Sequence, residues 1–290
     1  MANYVFLTDS TSDLTPALIE QLDITVIPME FHIANRTYLN VADGSTLPFH
    51  SFYDLLRRGA TSSTSQINPV VFEERFEALL KEGQDILYLA FSSGLSGTYN
   101  AACIAAQELS EKYPDRKIRV VDSLAASMGE GLLAYYAATM RKEGKSLDEV
   151  AAWLEENKLR LCHWFTVDDL NHLKRGGRVS GATAFVGTLL GIKPVLHVDD
   201  EGHLIPVSKV RGRRQSLDAL VARMVETCVD PEQQMIFISH GDAKDDAQYV
   251  ADQVRAKFKI ADSRINFIGP VIGSHSGPGT VALFFLGSRR

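Results

Sequence analysis

Short β-rich runs alternate with amphipathic segments nearly from one end of this 290-residue chain to the other. Strands separated by helices favour parallel pairing, with helices covering both faces of the sheet. Hydrophobic patterning predicts strands at Tyr4–Thr8, Ile24–Phe31, Asp85–Phe91, Ile118–Asp122, Arg160–Val167, Ile192–Val198, Leu204–Val210, Met235–His240, Arg264–Gly269 and Val281–Leu286. Helical periodicity is clearest over Pro69–Glu82, where Phe72, Phe76, Leu79 and Leu80 share one face. Asn68 suits the N-cap of that helix and Pro69 its first position. Further helices are expected at Ala126–Glu143, Leu147–Asn157, Arg214–Thr227 and Lys244–Phe258.

The regular alternation changes near residue 160. Beyond it, two strands meet across Asp199-Asp200-Glu201-Gly202, a hairpin-like connection. The chain therefore divides into an N-terminal parallel-sheet α/β/α domain (1–160) and a C-terminal α+β domain with a mixed sheet (161–290). A length of 290 residues accommodates two such units. No linker rich in Pro, Gly or Ser marks the joint, so the two are expected to pack closely.

Composition narrows the partners. Thirty Lys+Arg against 36 Asp+Glu leave a net charge of −6, which argues against a general nucleic-acid binder. Cys103, Cys162 and Cys228 lie far apart without a CxxC pair, and read as buried thiols of a reducing compartment. The start, MANYVFLTDS, has no basic n-region or long apolar stretch. Val281–Leu286 falls far short of the about 20 apolar residues that a spanning helix needs. A cytoplasmic protein without integral membrane segments is the expectation.

Four loops concentrate small hydroxyl-bearing residues. They are Thr8–Asp13, Thr61–Gln66, Ser92–Thr98 and Gly273–Gly279. Loops at strand carboxyl ends are where open α/β sheets hold ligands, and hydroxyls with free backbone N–H groups can bind an anion without a cation. Each loop taken singly also fits plain helix capping. Capping does not require Gly94-Leu95-Ser96-Gly97 or His275-Ser276-Gly277-Pro278-Gly279. No GxxxxGK[ST], GxGxxG or HExxH is present, and the eight histidines form no cluster with cysteines. No cofactor and no metal site is indicated. Two basic clusters, Lys174-Arg175-Gly176-Gly177-Arg178 in a glycine loop and Arg211-Gly212-Arg213-Arg214 before a helix, stand against the acidic background. They suit either solvated helix ends or docking of an acidic or phosphate-bearing partner.

In order along the chain, Thr8-Asp9-Ser10-Thr11-Ser12-Asp13-Leu14, Thr64-Ser65-Gln66, Ser92-Ser93-Gly94-Leu95-Ser96-Gly97-Thr98-Tyr99, Gly176-Gly177-Arg178, Ile192-Lys193-Pro194 and His275-Ser276-Gly277-Pro278-Gly279 resemble the DegV family of bacterial fatty-acid-binding proteins. The match spans about residues 4–287. The resemblance implies a long-chain fatty acid, such as palmitate or oleate, held between two α/β domains. Its carboxylate would be gripped by Thr64 or Ser65 and by Ser93 or Ser96, with His275 nearby. Some members present the acid to a separate fatty acid kinase that makes the acyl phosphate, so the chain would be a carrier and not an enzyme. The kinase-facing arginines would fall on Arg178 and Arg211. Here Thr61-Ser62 precedes the usual Thr-Ser-Gln segment, and Gln66 and Pro69 favour Thr64-Ser65 as its counterpart. A candidate wall for the tail is Phe185–Ile192. The alternative is a serine hydrolase acting on an ester or thioester, with Ser93 or Ser96 as nucleophile, His275 as base and Asp9 as orienting acid. The broken GxSxG spacing counts against it.

Overall fold

The computed structural model describes residues 4–179 and 191–290. In chain order the first part carries β1 (Tyr4–Asp9), α1 (Pro16–Leu22), β2 (Thr25–Ile27), β3 (Glu30–Ile33), β4 (Arg36–Leu39), α2 (Phe49–Arg57), β5 (Ser62–Ser65), α3 (Pro69–Lys81), β6 (Asp85–Ala90), α4 (Thr98–Lys112), β7 (Ile118–Asp122), α5 (Met128–Lys142) and α6 (Leu147–Asn157). The remainder carries β8 (Leu161–Thr166), α7 (Asn171–Gly176), β9 (Ile192–Val198), β10 (Leu204–Arg211), α8 (Arg213–Thr227), β11 (Met235–His240), α9 (Lys244–Lys257), β12 (Asp262–Phe267), α10 (Pro270–Ser276) and β13 (Val281–Leu286).

Among the described residues the strands form three sheets. A parallel sheet runs β2-β1-β6-β7, and a mixed six-stranded sheet runs β10-β9-β8-β13-β11-β12. In the mixed sheet β11 and β12 pair in parallel and the other pairs are antiparallel. These two sheets agree with the expected α/β architecture. A small antiparallel sheet, β4-β3-β5, was not foreseen.

Local chemistry explains the boundaries. Asn68 caps α3 by accepting from Val71 N at 3.1 Å, with Pro69 at the first position. Ser146 and Glu149 form a capping box at the start of α6. The expected strand Ile24–Phe31 is two strands in different sheets. Pro28 sits between β2 and β3 and has no N–H to continue a ladder. The second hydroxyl-rich loop is largely strand β5, and the fourth begins as the end of α10. Lys174-Arg175-Gly176 belongs to α7, with Gly177 (φ 66°) as its left-handed cap, so that glycine loop is a helix end.

The helix α5 is wedged between the two larger sheets. Its Met128, Leu132 and Leu133 are buried with Phe6 and Leu89 of the parallel sheet and Phe165, Phe237 and Phe284 of the mixed one. Glycines let it sit that deep. A Cβ on Gly131 would lie 2.4 Å from Ser12 O, and one on Gly129 would lie 2.3 Å from His163 Nε2. A second core, with Phe31, Phe52, Phe72, Phe76 and Tyr88, joins the parallel sheet to α3, α4 and the small sheet. A third packs α8 and α9 on the outer face of the mixed sheet. Of the cysteines only Cys162 is fully buried. Cys103 and Cys228 are half-buried, and all three thiols are free. No helix among the described residues is long and apolar enough to cross a membrane.

Candidate functional site

A cavity of about 310 Å³ lies where the mixed sheet faces the loops of the N-terminal part. Its walls are mostly apolar, with Phe165, Val198, Leu204, Ala282 and Phe284 from the mixed sheet and Val271 from α10. Polar residues also line it, among them Thr64, Ser96, Arg178, His275 and Ser276.

Strand pairing selects Thr64. In β5 it stands opposite Phe31 and Ser65 opposite Glu30, and successive residues of a strand point to opposite faces. Thr64 accordingly lines the cavity and its Oγ1 lies 2.9 Å from His275 Nε2. Ser65 Oγ instead meets His32 Nε2 at 2.9 Å on the other face. The same alternation sends Ser62 to Ser274, so β5 is stitched to α10 at two points.

The turn after β6 selects Ser96 over Ser93. Leu95 N and Ser96 N both donate to Ser92 O, which curls the chain so that Ser96 lines the cavity. Ser96 Oγ accepts from Thr98 N at 3.2 Å and shares a 2.9 Å bond with Thr98 Oγ1. Ser93 is exposed, with its N–H donated to Asp122. Ser92 Oγ donates to Gly202 O at 2.9 Å, docking this turn on the β9–β10 connection. A Cβ on Gly94 would lie 2.7 Å from Glu201 O, so the close approach requires glycine.

Burial holds the His275 imidazole down at about 4, and the charge of Arg178 adds to the effect. The ring is therefore neutral near pH 7. Its Nδ1 is buried without a partner and sits against Gly176, where a Cβ would lie 2.2 Å away. Gly176→Ala is expected to displace His275, weaken the Thr64 contact and cost about 1–3 kcal/mol of stability through overpacking. A denaturant melt together with ring-proton NMR of His275 checks this; an unmoved resonance would contradict it.

Arg178 lies at the cavity rim. Its guanidinium donates to Leu95 O at 3.3 Å and to Gly176 O, bridging loops from the two parts of the chain. Arg211 ends β10 opposite Ile192, exposed and away from the cavity. Residues 185–190 of the expected tail wall lie outside the described residues. Ile192 opens β9 and does not line the cavity.

The hydrolase triad is not assembled. Asp9 is fully buried, and its carboxylate accepts from Thr11 N, Thr11 Oγ1, Tyr88 OH and Phe91 N. Among the described residues it has no bond to His275, whose one side-chain hydrogen bond there goes to Thr64. Among the described residues, neither Ser93 nor Ser96 is hydrogen-bonded to His275, and Asp9 does not orient it. Sequence inspection missed Ser127, Ser276 and Thr280 as lining residues. Ser276 was legible as the neighbour of His275, whereas the others give no local signal.

The fold and site define an α/β protein with a largely apolar cavity. The chain belongs to the DegV family, whose model ("Uncharacterised protein, DegV family") matches residues 5–288. A DegV domain-containing protein of Clostridium perfringens is 49% identical over 290 residues, covering 100% of this chain and 99% of that protein. Among solved structures, a Thermus thermophilus DegV family protein described by its fatty acid binding superposes with a TM-score of 0.89 at 32% identity, over 98% of this chain and 99% of that one. A Thermotoga maritima protein described as revealing fatty acid binding function gives 0.83 at 31% identity, over 98% and 99%.

Proposed function

We propose that this protein is a bacterial cytoplasmic carrier that holds a long-chain fatty acid, such as palmitate or oleate, and presents its carboxyl group to a separate fatty acid kinase. The observation that carries the reading is the largely apolar cavity furnished with Thr64, Ser96 and a neutral His275. Its volume of about 310 Å³ is within the range of small-molecule sites, roughly 300–1,000 Å³. The similar proteins described by their fatty acid binding support the same ligand class.

Affinity and orientation divide between tail and head. Burying a saturated chain of about 16 carbons, at ~0.8 kcal/mol per CH₂, offers on the order of 12 kcal/mol before association costs. The head must then be satisfied, because a buried unpaired carboxylate is expensive. With Nε2–H of His275 donating to Thr64 Oγ1, the Thr64 hydroxyl proton is free for a carboxylate oxygen. With the Thr98 hydroxyl donating to Ser96, the Ser96 proton is free likewise. Neutral donors hold the head without the strong ion pair that would oppose hand-over.

Arg178 and Arg211 are the proposed kinase contacts. In an ATP-dependent acyl-phosphate assay with the kinase of the same organism, run at equal palmitate loading because Arg178 also lines the cavity, Arg178→Glu and Arg211→Glu are expected to raise the apparent KM for the loaded carrier at least tenfold, with palmitate binding itself retained in Arg211→Glu. Unchanged turnover with both variants would remove the docking assignment. Hydrolysis of an acyl ester or thioester by the protein alone, lost in Ser96→Ala, would contradict the carrier reading itself.

A further inference from the structure

The hydroxyls lining the cavity differ in one respect. Thr64 pairs with His275, Ser96 with Thr98, Ser127 with Asp13 and Ser239, and Thr280 donates to the Ser276 and Gly277 carbonyls. Ser276 Oγ alone among the described lining hydroxyls has no hydrogen-bond partner, although the residue is 6% exposed. Buried polar groups in folded proteins are paired in the great majority of cases, and an unpaired one calls for an explanation.

The geometry points to Ser276 as a third head-group donor, completing the carboxylate cradle begun by Thr64 and Ser96. This rests on the reading of the cavity as a fatty acid site. Ser276 follows His275 in the last turn of α10, and both line the cavity together with Thr64. A carboxylate offers two oxygens and about four lone-pair sites, so two hydroxyl donors leave acceptor capacity unfilled. A methylene tail laid against Ser276 would leave its hydroxyl unpaired, whereas a carboxylate oxygen satisfies both groups at once. Its Oγ has almost no open surface toward the cavity in this rotamer, so a carboxylate oxygen reaches it after a turn about χ1, a step between staggered wells.

The test is calorimetric titration of wild type, Ser276→Ala and the near-isosteric Ser276→Cys with palmitate and with hexadecanol, which keeps the tail and removes the charge. Hydrogen bonds to charged groups predict palmitate binding weakened roughly ten- to a hundredfold in both variants, with hexadecanol changed by no more than about threefold. Circular dichroism melts establish that the variants are folded, and the cysteine variant covers a failure of the alanine one. Palmitate binding within twofold of wild type in a folded variant would overturn the assignment. So would equal weakening of both ligands, which would make Ser276 a packing residue. Wild-type protein that is folded and takes up no palmitate would instead sink the fatty acid reading beneath it.

Discussion

Thr64→Val is expected to weaken fatty acid binding by roughly one to two orders of magnitude with little loss of fold. The substitution keeps the branched shape at β5 and removes one hydroxyl that has two tasks. On the proposed reading it deletes a donor to the carboxylate, and a hydrogen bond to a charged group is worth about 1.5–3 kcal/mol. It also strips His275 Nε2 of its partner, leaving both nitrogens of a half-buried ring unpaired. Ser65→Ala, on the opposite face of the same strand, loses a contact with His32 and is expected to leave binding within about twofold. Titration with palmitate checks the pair, and equal effects of the two changes would mean that the alternation along β5 does not set the head-group site.

Asp13→Asn is expected to gain stability relative to wild type by about 1.4 kcal/mol for each pH unit between about 5 and 7. Asp13 is fully buried where the first loop meets α5 and α10. Its carboxylate accepts from Ser127 Oγ at 2.5 Å and Gly269 N at 2.9 Å. Burial pushes it up to about 7, those two donors pull the other way, and the charge of Asp9 adds a smaller push upward. An ordinary aspartate titrates near 3.9, so between these values the folded wild type holds a proton that the unfolded chain has released. Wild-type stability from this group is therefore lost as pH rises through the window. Asparagine cannot ionise, so the difference grows by roughly 3 kcal/mol between pH 5 and 7 and levels off as pH rises past the folded value. Taking the difference removes the background of buried His163, His197, His240 and His275, all held below their usual range chiefly by burial, which lose stability in the opposite direction as pH falls. Denaturant unfolding at stepped pH measures it. Parallel curves for the two proteins would contradict a raised Asp13.

The α/β alternation was legible because most strands of the two large sheets are apolar runs, and because Asn68-Pro69 and Ser146 mark helix starts in their own side chains. β5 was not, since Ser62–Ser65 is polar throughout and its neighbours, His32 and the Ser274–His275 turn of α10, lie far off in sequence. Pro28 is a visible break, yet that the chain changes sheets there depends on tertiary packing. The cavity lining was readable to the level of residue pairs. Thr64 and His275 stand 211 positions apart, and their contact follows from β5 packing on α10, which no local pattern encodes. Choosing Thr64 over Ser65 needed strand register. Choosing Ser96 over Ser93 needed the curl of one turn. Gly176, which local pattern presents as a loop residue, proves to be the floor beneath His275.

The central claim is best tested by mass spectrometry of the purified full-length protein, first native and then denatured, with organic extraction of what is released. The carrier account predicts a non-covalent long-chain fatty acid near one per chain, lost on denaturation, its chain length and unsaturation read directly from the extract. Protein that is empty as purified and takes up neither palmitate nor oleate would contradict it.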